Sequence, residues 1–128
     1  MVRLSNLKFF ATCLLLVATS VSVPAKEPVA LTSMTPVAMA TLPSQGVQTY
    51  ERILRGGPFA HEKDGVVFGN RERLLPAQTR GYYREYTVKT PGSHDRGARR
   101  IVCGGQPRTP DACYYTDDHY ASFRKIAP

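Results

Sequence analysis

Long apolar runs are scarce in this chain, and so are cysteines. The one extended apolar stretch covers residues 9–23 and is interrupted by Thr12, Thr19, Ser20 and Ser22. A membrane-spanning helix needs about 20 apolar residues, so the stretch is too short and too polar to read as a retained anchor. Arg3 and Lys8 precede it and Val23-Pro24-Ala25 follows it. A positive region, an apolar region and a small-residue cleavage site in that order predict a signal peptide over residues 1–25. Ala38-Met39-Ala40 is a poorer cleavage site because it lies far beyond the apolar run. Cleavage at Cys13, as in a lipoprotein, is disfavoured because that cysteine sits inside the run without a bordering small-residue pattern.

Removal of the leader takes Cys13 and leaves Cys103 and Cys113. An even pair in an exported chain defaults to a disulfide. It would close a short loop through Gly104, Gly105, Pro107 and Pro110, a constraint worth about 2 to 3 kcal/mol. The rival metal site has only these two thiols, no CxxC spacing and no histidine between them, so no metal ligand and no cofactor is assigned. There is no P-loop and no internal repeat.

Charge narrows the partner class without naming it. The whole chain carries 17 Lys and Arg against 10 Asp and Glu, net +7, and losing Arg3 and Lys8 leaves +5. Such a surface attracts polyanions, whether nucleic acid, anionic lipid or acidic protein, and it also serves solubility alone.

A chain of 128 residues fits one domain with a modest core. Residues 26–42, rich in Pro, Val, Ala and Thr and without a clear period, read as a flexible linker. The domain is expected over 43–128. Pro43-Ser44-Gln45 opens a helix whose Val47, Tyr50, Ile53 and Leu54 fall at helical spacing, and Gly56-Gly57-Pro58 stops it. Short β-rich runs follow at 65–68, 82–88, 99–103, 114–116 and 120–126, between turn clusters at Asn70, Pro76, Pro91-Gly92, Gly104-Gly105 and Asp117-Asp118. One helix ahead of an antiparallel meander predicts an α+β fold, a main N-terminal helix packed on a small antiparallel sheet.

Strand periodicity singles out one carboxylate. In residues 82–88 the alternation puts Tyr83, Glu85 and Thr87 on one face and Tyr82, Arg84, Tyr86 and Val88 on the other. Glu85 among aromatics wants a partner, and Arg100 on the next strand supplies one if the two lie opposite. Tyr83 would then face Val102, and Thr87 would face Ala98. From these strands alone, an ordinary cross-strand salt bridge and a functional pair remain equally open.

Several strings in one order carry the reading further: Gly57-Pro58-Phe59, Asp64-Gly65-Val66-Val67-Phe68, Asn70-Arg71-Glu72 with Leu75-Pro76, Tyr82-Tyr83-Arg84-Glu85-Tyr86-Thr87-Val88, Thr90-Pro91-Gly92, Arg96-Gly97-Ala98-Arg99-Arg100-Ile101 and Tyr114-Tyr115-Thr116-Asp117-Asp118-His119-Tyr120. Together they resemble the family of barnase and the secreted Streptomyces guanyl-specific ribonucleases, from about Pro43 to Ile126. The resemblance implies the microbial ribonuclease fold and an endoribonuclease that cleaves single-stranded RNA after guanine through a 2′,3′-cyclic phosphate. It implies Glu85 as general base, His119 as general acid, and Arg96 and Arg100 as the phosphate clamp. These roles suit a reaction in which one group takes a proton from the ribose 2′-hydroxyl and another protonates the departing 5′-oxygen. It also implies a guanine-reading segment of Phe68, Asn70, Arg71 and Glu72, with Tyr120 stacking nearby.

The family's active-site lysine has no assigned equivalent, because Arg55 and Lys63 lie in a segment of uncertain alignment. His61 and His94 read as exposed loop residues, and Arg99 as an ion-pair partner on the opposite face to Arg100. The expected state is a secreted monomer without stable membrane association. Two rival readings share the scaffold: a non-catalytic cationic polyanion-binding protein, and an interbacterial toxin with an acidic barstar-like inhibitor as partner.

Overall fold

A computed structural model describes residues 35–128; the leader expected over 1–25 lies outside them. The elements are β1 (Val37–Ala38), a 3-10 turn (Met39–Thr41), α1 (Ser44–Arg55), β2 (Tyr83–Thr87), β3 (Arg100–Gln106), β4 (Thr109–Thr116) and β5 (Arg124–Ala127). They form a single helix against a five-stranded sheet ordered β1-β5-β4-β3-β2.

The α+β expectation stands, with one correction: the sheet is mixed. β2, β3, β4 and β5 pair antiparallel, but β1 runs parallel to β5. Residues 37–42, expected as linker, therefore belong to the fold. Val37 and Leu42 are both buried in the helix-side core. Burying side chains of this size contributes about 1.5 to 3 kcal/mol each, which a segment without a helical or strand period does not reveal in advance.

Helix α1 starts where Pro43 cannot continue a preceding helix, its carbonyl accepting from the Gly46 and Val47 N–H groups at 2.8 and 3.1 Å. It ends at Gly56, whose φ of +83° suits a residue without a side chain. Arg52 and Arg55 occupy its last turn, complementing the negative end of the helix dipole. Ile53, Thr49 and Gly46 face the sheet, and Leu54, expected inside, is exposed. On the helix side Ile53 packs with Tyr86, Val88, Ile101, Tyr115 and the two cysteines. The opposite side of the sheet carries Leu75, Tyr83, Val102, Tyr114 and Phe123, covered by Phe68 and Tyr120.

The disulfide is present, joining Cys103 to Cys113 with Cα atoms 4.1 Å apart. It does not close an irregular loop. The cysteines face each other across β3 and β4, and the hairpin continues past Gly104-Gly105, where the register shifts, to turn at Pro107 and Arg108. Gly104 is needed there, because the Tyr82 ring occupies the space a side chain would take.

Residues 65–68 do not form the expected strand. They run beside β2 with a single bridge, Val67 to Arg84. Gly65 N–H donates to the Glu85 carbonyl at 2.8 Å and Glu85 N–H donates to the Val66 carbonyl at 3.0 Å. Two residues thus face one, with Gly65 at φ +84°, which is a bulge, a feature common beside active sites. The final strand is likewise shorter than expected, since residues 117–122 are folded into a turn by their own side chains.

Candidate active site

Alternation along β2 is as the sequence predicted, and it brings Glu85 to the face opposite the helix, among the residues of the second core. The register is two residues from the expected one. Glu85 faces Val102, and Arg100 faces Thr87. Because a shift of two keeps the same face, Arg100 still lies near Glu85 but does not pair with it.

The partner of Glu85 is Arg96, from the β2–β3 connection. Its Nη2 donates to Glu85 Oε1 at 2.9 Å and its Nε donates to Thr87 Oγ1 at 2.7 Å. The side chains of Arg96 and Glu85 are 22% and 11% exposed, so the pair is largely withdrawn from water, where charge-assisted hydrogen bonds are strong. Thr87 was not expected to contribute. Its position two residues from Glu85 on the same strand was the signal.

The second carboxylate oxygen is held by Tyr120, whose hydroxyl donates to Glu85 Oε2 at 2.6 Å. That hydroxyl accepts from Arg100 Nε at 3.1 Å. Arg100 is almost fully buried and also donates to the carbonyls of Gly97 and Arg99 at 3.0 and 2.7 Å. Burial, reinforced by the hydrogen bond to Glu85, pushes the Tyr120 phenol up from its ordinary value. It therefore stays a donor over the working range of any carboxylate base. Among the described residues no carboxylate lies within ion-pair distance of Arg99, contrary to the expectation for it.

His119 and Tyr120 are placed by backbone that side chains rarely adopt, with φ of +53° and +70°. The turn is held by Asp118, which accepts from Thr116 Oγ1 at 2.8 Å and from Ser122 N–H at 2.9 Å. Thr116 Oγ1 accepts in turn from Tyr120 N–H at 3.2 Å. His119 N–H donates to the Ala98 carbonyl at 3.1 Å, tying the turn to the segment that carries Arg96 and Arg100. Asp118 is a positioning residue that sequence reading took only for part of a turn.

The guanine-reading segment expected from the sequence forms one wall of a cleft of about 730 Å3. Phe68, Asn70, Arg71 and Glu72 line it together with Glu85, His119 and Tyr120. Phe68 stacks on Tyr120 with ring centroids 5.2 Å apart and planes at 27°. The Asn70 side chain is spent on its own loop, donating to the Leu75 carbonyl at 3.0 Å and accepting from the Leu75 N–H at 3.1 Å. With Asn70 at φ +48°, this bracket fixes the backbone groups that face the cleft. Glu72 is exposed, so its burial depends on whatever enters.

Arg96 and Arg100 do not line the cleft; they reach it through Glu85 and Tyr120. His61 and His94 are exposed and lie outside it, as do Arg55 and Lys63. Among the described residues there is no group of three or more His, Cys, Asp or Glu side chains placed to hold a metal. Nor is any helix among them long and apolar enough to cross a membrane.

A family model described as ribonuclease matches residues 26–127. The chain belongs to the ribonuclease family. It is 58% identical over 90 residues to guanyl-specific ribonuclease Sa3 of Kitasatospora aureofaciens, a match covering 70% of this chain and 62% of that protein. It is 52% identical over 88 residues to guanyl-specific ribonuclease St of Saccharopolyspora erythraea, covering 69% and 83%. Among solved structures, ribonuclease Sa2 in complexes with mononucleotides superposes with a TM-score of 0.70 at 47% identity, covering 75% of this ribonuclease and 96% of that chain. Sa2 with guanosine-2′-cyclophosphate superposes with a TM-score of 0.68 at 46% identity, covering 75% and 98%.

Proposed function

We propose that this ribonuclease is a secreted monomer that cleaves single-stranded RNA on the 3′ side of guanine, by transphosphorylation to a 2′,3′-cyclic phosphate followed by hydrolysis. The observation that carries the proposal is one cleft lined by Glu85, by His119 and by the Phe68–Glu72 segment. Its relatives Sa3 and St are named as guanyl-specific ribonucleases.

Glu85 acts as the base. Its carboxylate takes the proton of the ribose 2′-hydroxyl, the O2′ electron pair forms a bond to phosphorus, and the bond from phosphorus to O5′ breaks. His119, entering as imidazolium, gives its proton to the departing O5′. Proton transfers of this type each contribute about 10²- to 10⁴-fold. The hydrolysis step reverses the roles, His119 taking the proton of water and Glu85 returning one to O2′. Arg96 and Arg100 supply fixed positive charge for the extra charge developing on the phosphate oxygens. The nucleophile belongs to the substrate, so DNA, lacking the 2′-hydroxyl, is inert.

Guanine is read by the backbone at Asn70 and Arg71 toward O6 and by the Glu72 carboxylate toward the N1 and N2 hydrogens. The Phe68–Tyr120 stack forms the adjoining aromatic wall. An acidic inhibitor protein is the second partner that this cationic domain would attract. Digestion of the four homopolymer RNAs with a chelator present tests the reading. Only poly(G) should be degraded, at a rate indifferent to the chelator; no degradation of any polymer would overturn the proposal.

A further inference from the structure

A second cleft of about 800 Å3 lies on the other side of the guanine-reading segment, and no step of the proposed reaction uses it. Val67, Phe68, Gly69, Asn70 and Arg71 line both clefts. One strip of backbone is thus the wall between them, and whatever fills the first can continue into the second.

Charge in this cleft has one sign. Arg71, Arg73 and Arg80 all line it and are exposed, and no carboxylate among the described residues lies within ion-pair distance of any of them. Like charges lining a concave surface raise the local concentration of a polyanion. The backbone at Arg73 adds a second observation. Its φ is +53°, a conformation unusual for a residue with a long side chain. It is held by the Arg73 N–H donating to the Asn70 carbonyl at 3.0 Å. The same bracket that shapes the guanine-reading backbone therefore sets an arginine in the wall of the neighbouring cleft. Val67, 48% exposed, is an apolar step between the two, suited to lie under a base.

We infer that this cleft is a subsite for the RNA strand on the 5′ side of the cleaved guanosine, with Arg73 and Arg80 against its backbone phosphates and Val67 beneath a base. The inference rests on the proposed activity. The scissile phosphate, on the 3′ side, belongs at Glu85 and His119, which do not line the second cleft. The strand that passes the base-reading wall in the other direction is the 5′ one.

The test compares GpU, the 5′-extended UpUpGpU and the 3′-extended GpUpU as substrates for the wild-type protein and for Arg73→Ala/Arg80→Ala. The wild type should show a lower KM for UpUpGpU than for GpU. The double variant should lose that gain while keeping its GpU kinetics, and Arg73→Lys/Arg80→Lys should restore it. Each phosphate contact on a single strand contributes a salt slope of about 0.7. Two contacts should therefore make the gain shrink about 7-fold between about 50 and 200 mM salt, and this dependence should vanish in the alanine variant. An equal loss on GpU, a loss confined to GpUpU, or no advantage of UpUpGpU in the wild type would each overturn the subsite. The last result would leave the arginines to an acidic protein partner. Failure of the wild type to cleave GpU at all would instead remove the activity on which the subsite rests.

Discussion

The Tyr120 hydroxyl sits between the two charges of the candidate active site, donating to Glu85 Oε2 at 2.6 Å and accepting from Arg100 Nε at 3.1 Å. Arg100 thereby acts on the carboxylate through a phenol, not by direct contact. Arg96 makes the direct pair from the other side. Glu85 is held at both oxygens and has little rotational freedom left, so its position is fixed before substrate arrives.

Tyr120→Phe should therefore cost more than a stacking surface, which the phenylalanine ring keeps. A hydrogen bond to a charged group contributes about 1.5 to 3 kcal/mol. Loss of this magnitude from the transition state predicts a fall in kcat/KM of about 10-fold or more on GpU. Unchanged steady-state kinetics would show that the hydroxyl plays no part in setting the base.

Glu85→Gln and His119→Ala should each slow cleavage by about 10²-fold or more. The melting temperature should stay near wild type for His119→Ala, whose side chain is exposed, and fall for Glu85→Gln, which leaves Arg96 without its carboxylate partner, with activity assayed below that transition. Near wild-type rates in both variants would remove the acid-base assignment.

Glu72→Ala tests base reading separately. Adenine presents an acceptor at N1, so the carboxylate discriminates between the purines, and a site built on such hydrogen bonds loses about 1.5 to 3 kcal/mol when they fail. GpU cleavage should drop far more than ApU cleavage, whereas Arg96→Ala should depress both alike. Equal losses at the two purines in Glu72→Ala would mean that the segment does not read the base.

Asp118 should matter through its neighbours. Hydrogen bonds, first from the Ser122 hydroxyl and then from Thr116, hold its carboxyl below the ordinary value of 3.8. A lowered carboxyl value means that the stabilisation of the turn is fully present above the ordinary value and fades as pH falls through the lowered one. The backbone N–H signal of Ser122, which donates to Asp118, should thus be steady above the ordinary carboxyl value and move only under more acidic conditions, following the Asp118 carboxyl. Asp118→Ala should lower kcat while leaving the melting temperature little changed, and chemical rescue is not expected because the carboxylate touches no substrate. A variant with wild-type kcat would show the turn to be held without it.

The disulfide lies on the helix side of the sheet, away from the cleft. Replacing both cysteines by serine should lower stability by about 3 kcal/mol for a loop of this size, equivalent to about 10 to 20 °C in a domain of about 100 residues. Cleavage of GpU at 25 °C should persist. Loss of activity at a temperature where the variant is still folded would place the hairpin in the catalytic machinery.

The sequence by itself determined which face of β2 carries Glu85, because side chains alternate with a period of two and no tertiary contact is needed to know it. It also determined the helix stop at Gly56, the pairing of Cys103 with Cys113, and the grouping of Phe68, Asn70, Arg71, Glu72, Glu85, His119 and Tyr120, though not the place of Arg96 and Arg100 outside the cleft. Those follow from local backbone preference, from an even count of thiols after the leader, and from strings long enough to resemble one family. What the tertiary structure decided was how those residues touch. A register two residues away preserves every face, so the alternation could not distinguish Arg100 opposite Glu85 from Arg100 opposite Thr87. The choice of Arg96 as the ion-pair partner depends on a connection that folds back over the sheet. The role of Tyr120 as a bridge depends on its hydroxyl meeting Glu85 and Arg100, 35 and 20 residues away along the chain. The admission of residues 37–42 to the fold rests on parallel pairing of Val37 with Ile126 at the far end of the chain. Each of these is a relation between segments distant in sequence, settled by packing and hydrogen bonding across the sheet, for which no short-range pattern in the chain provides a signal.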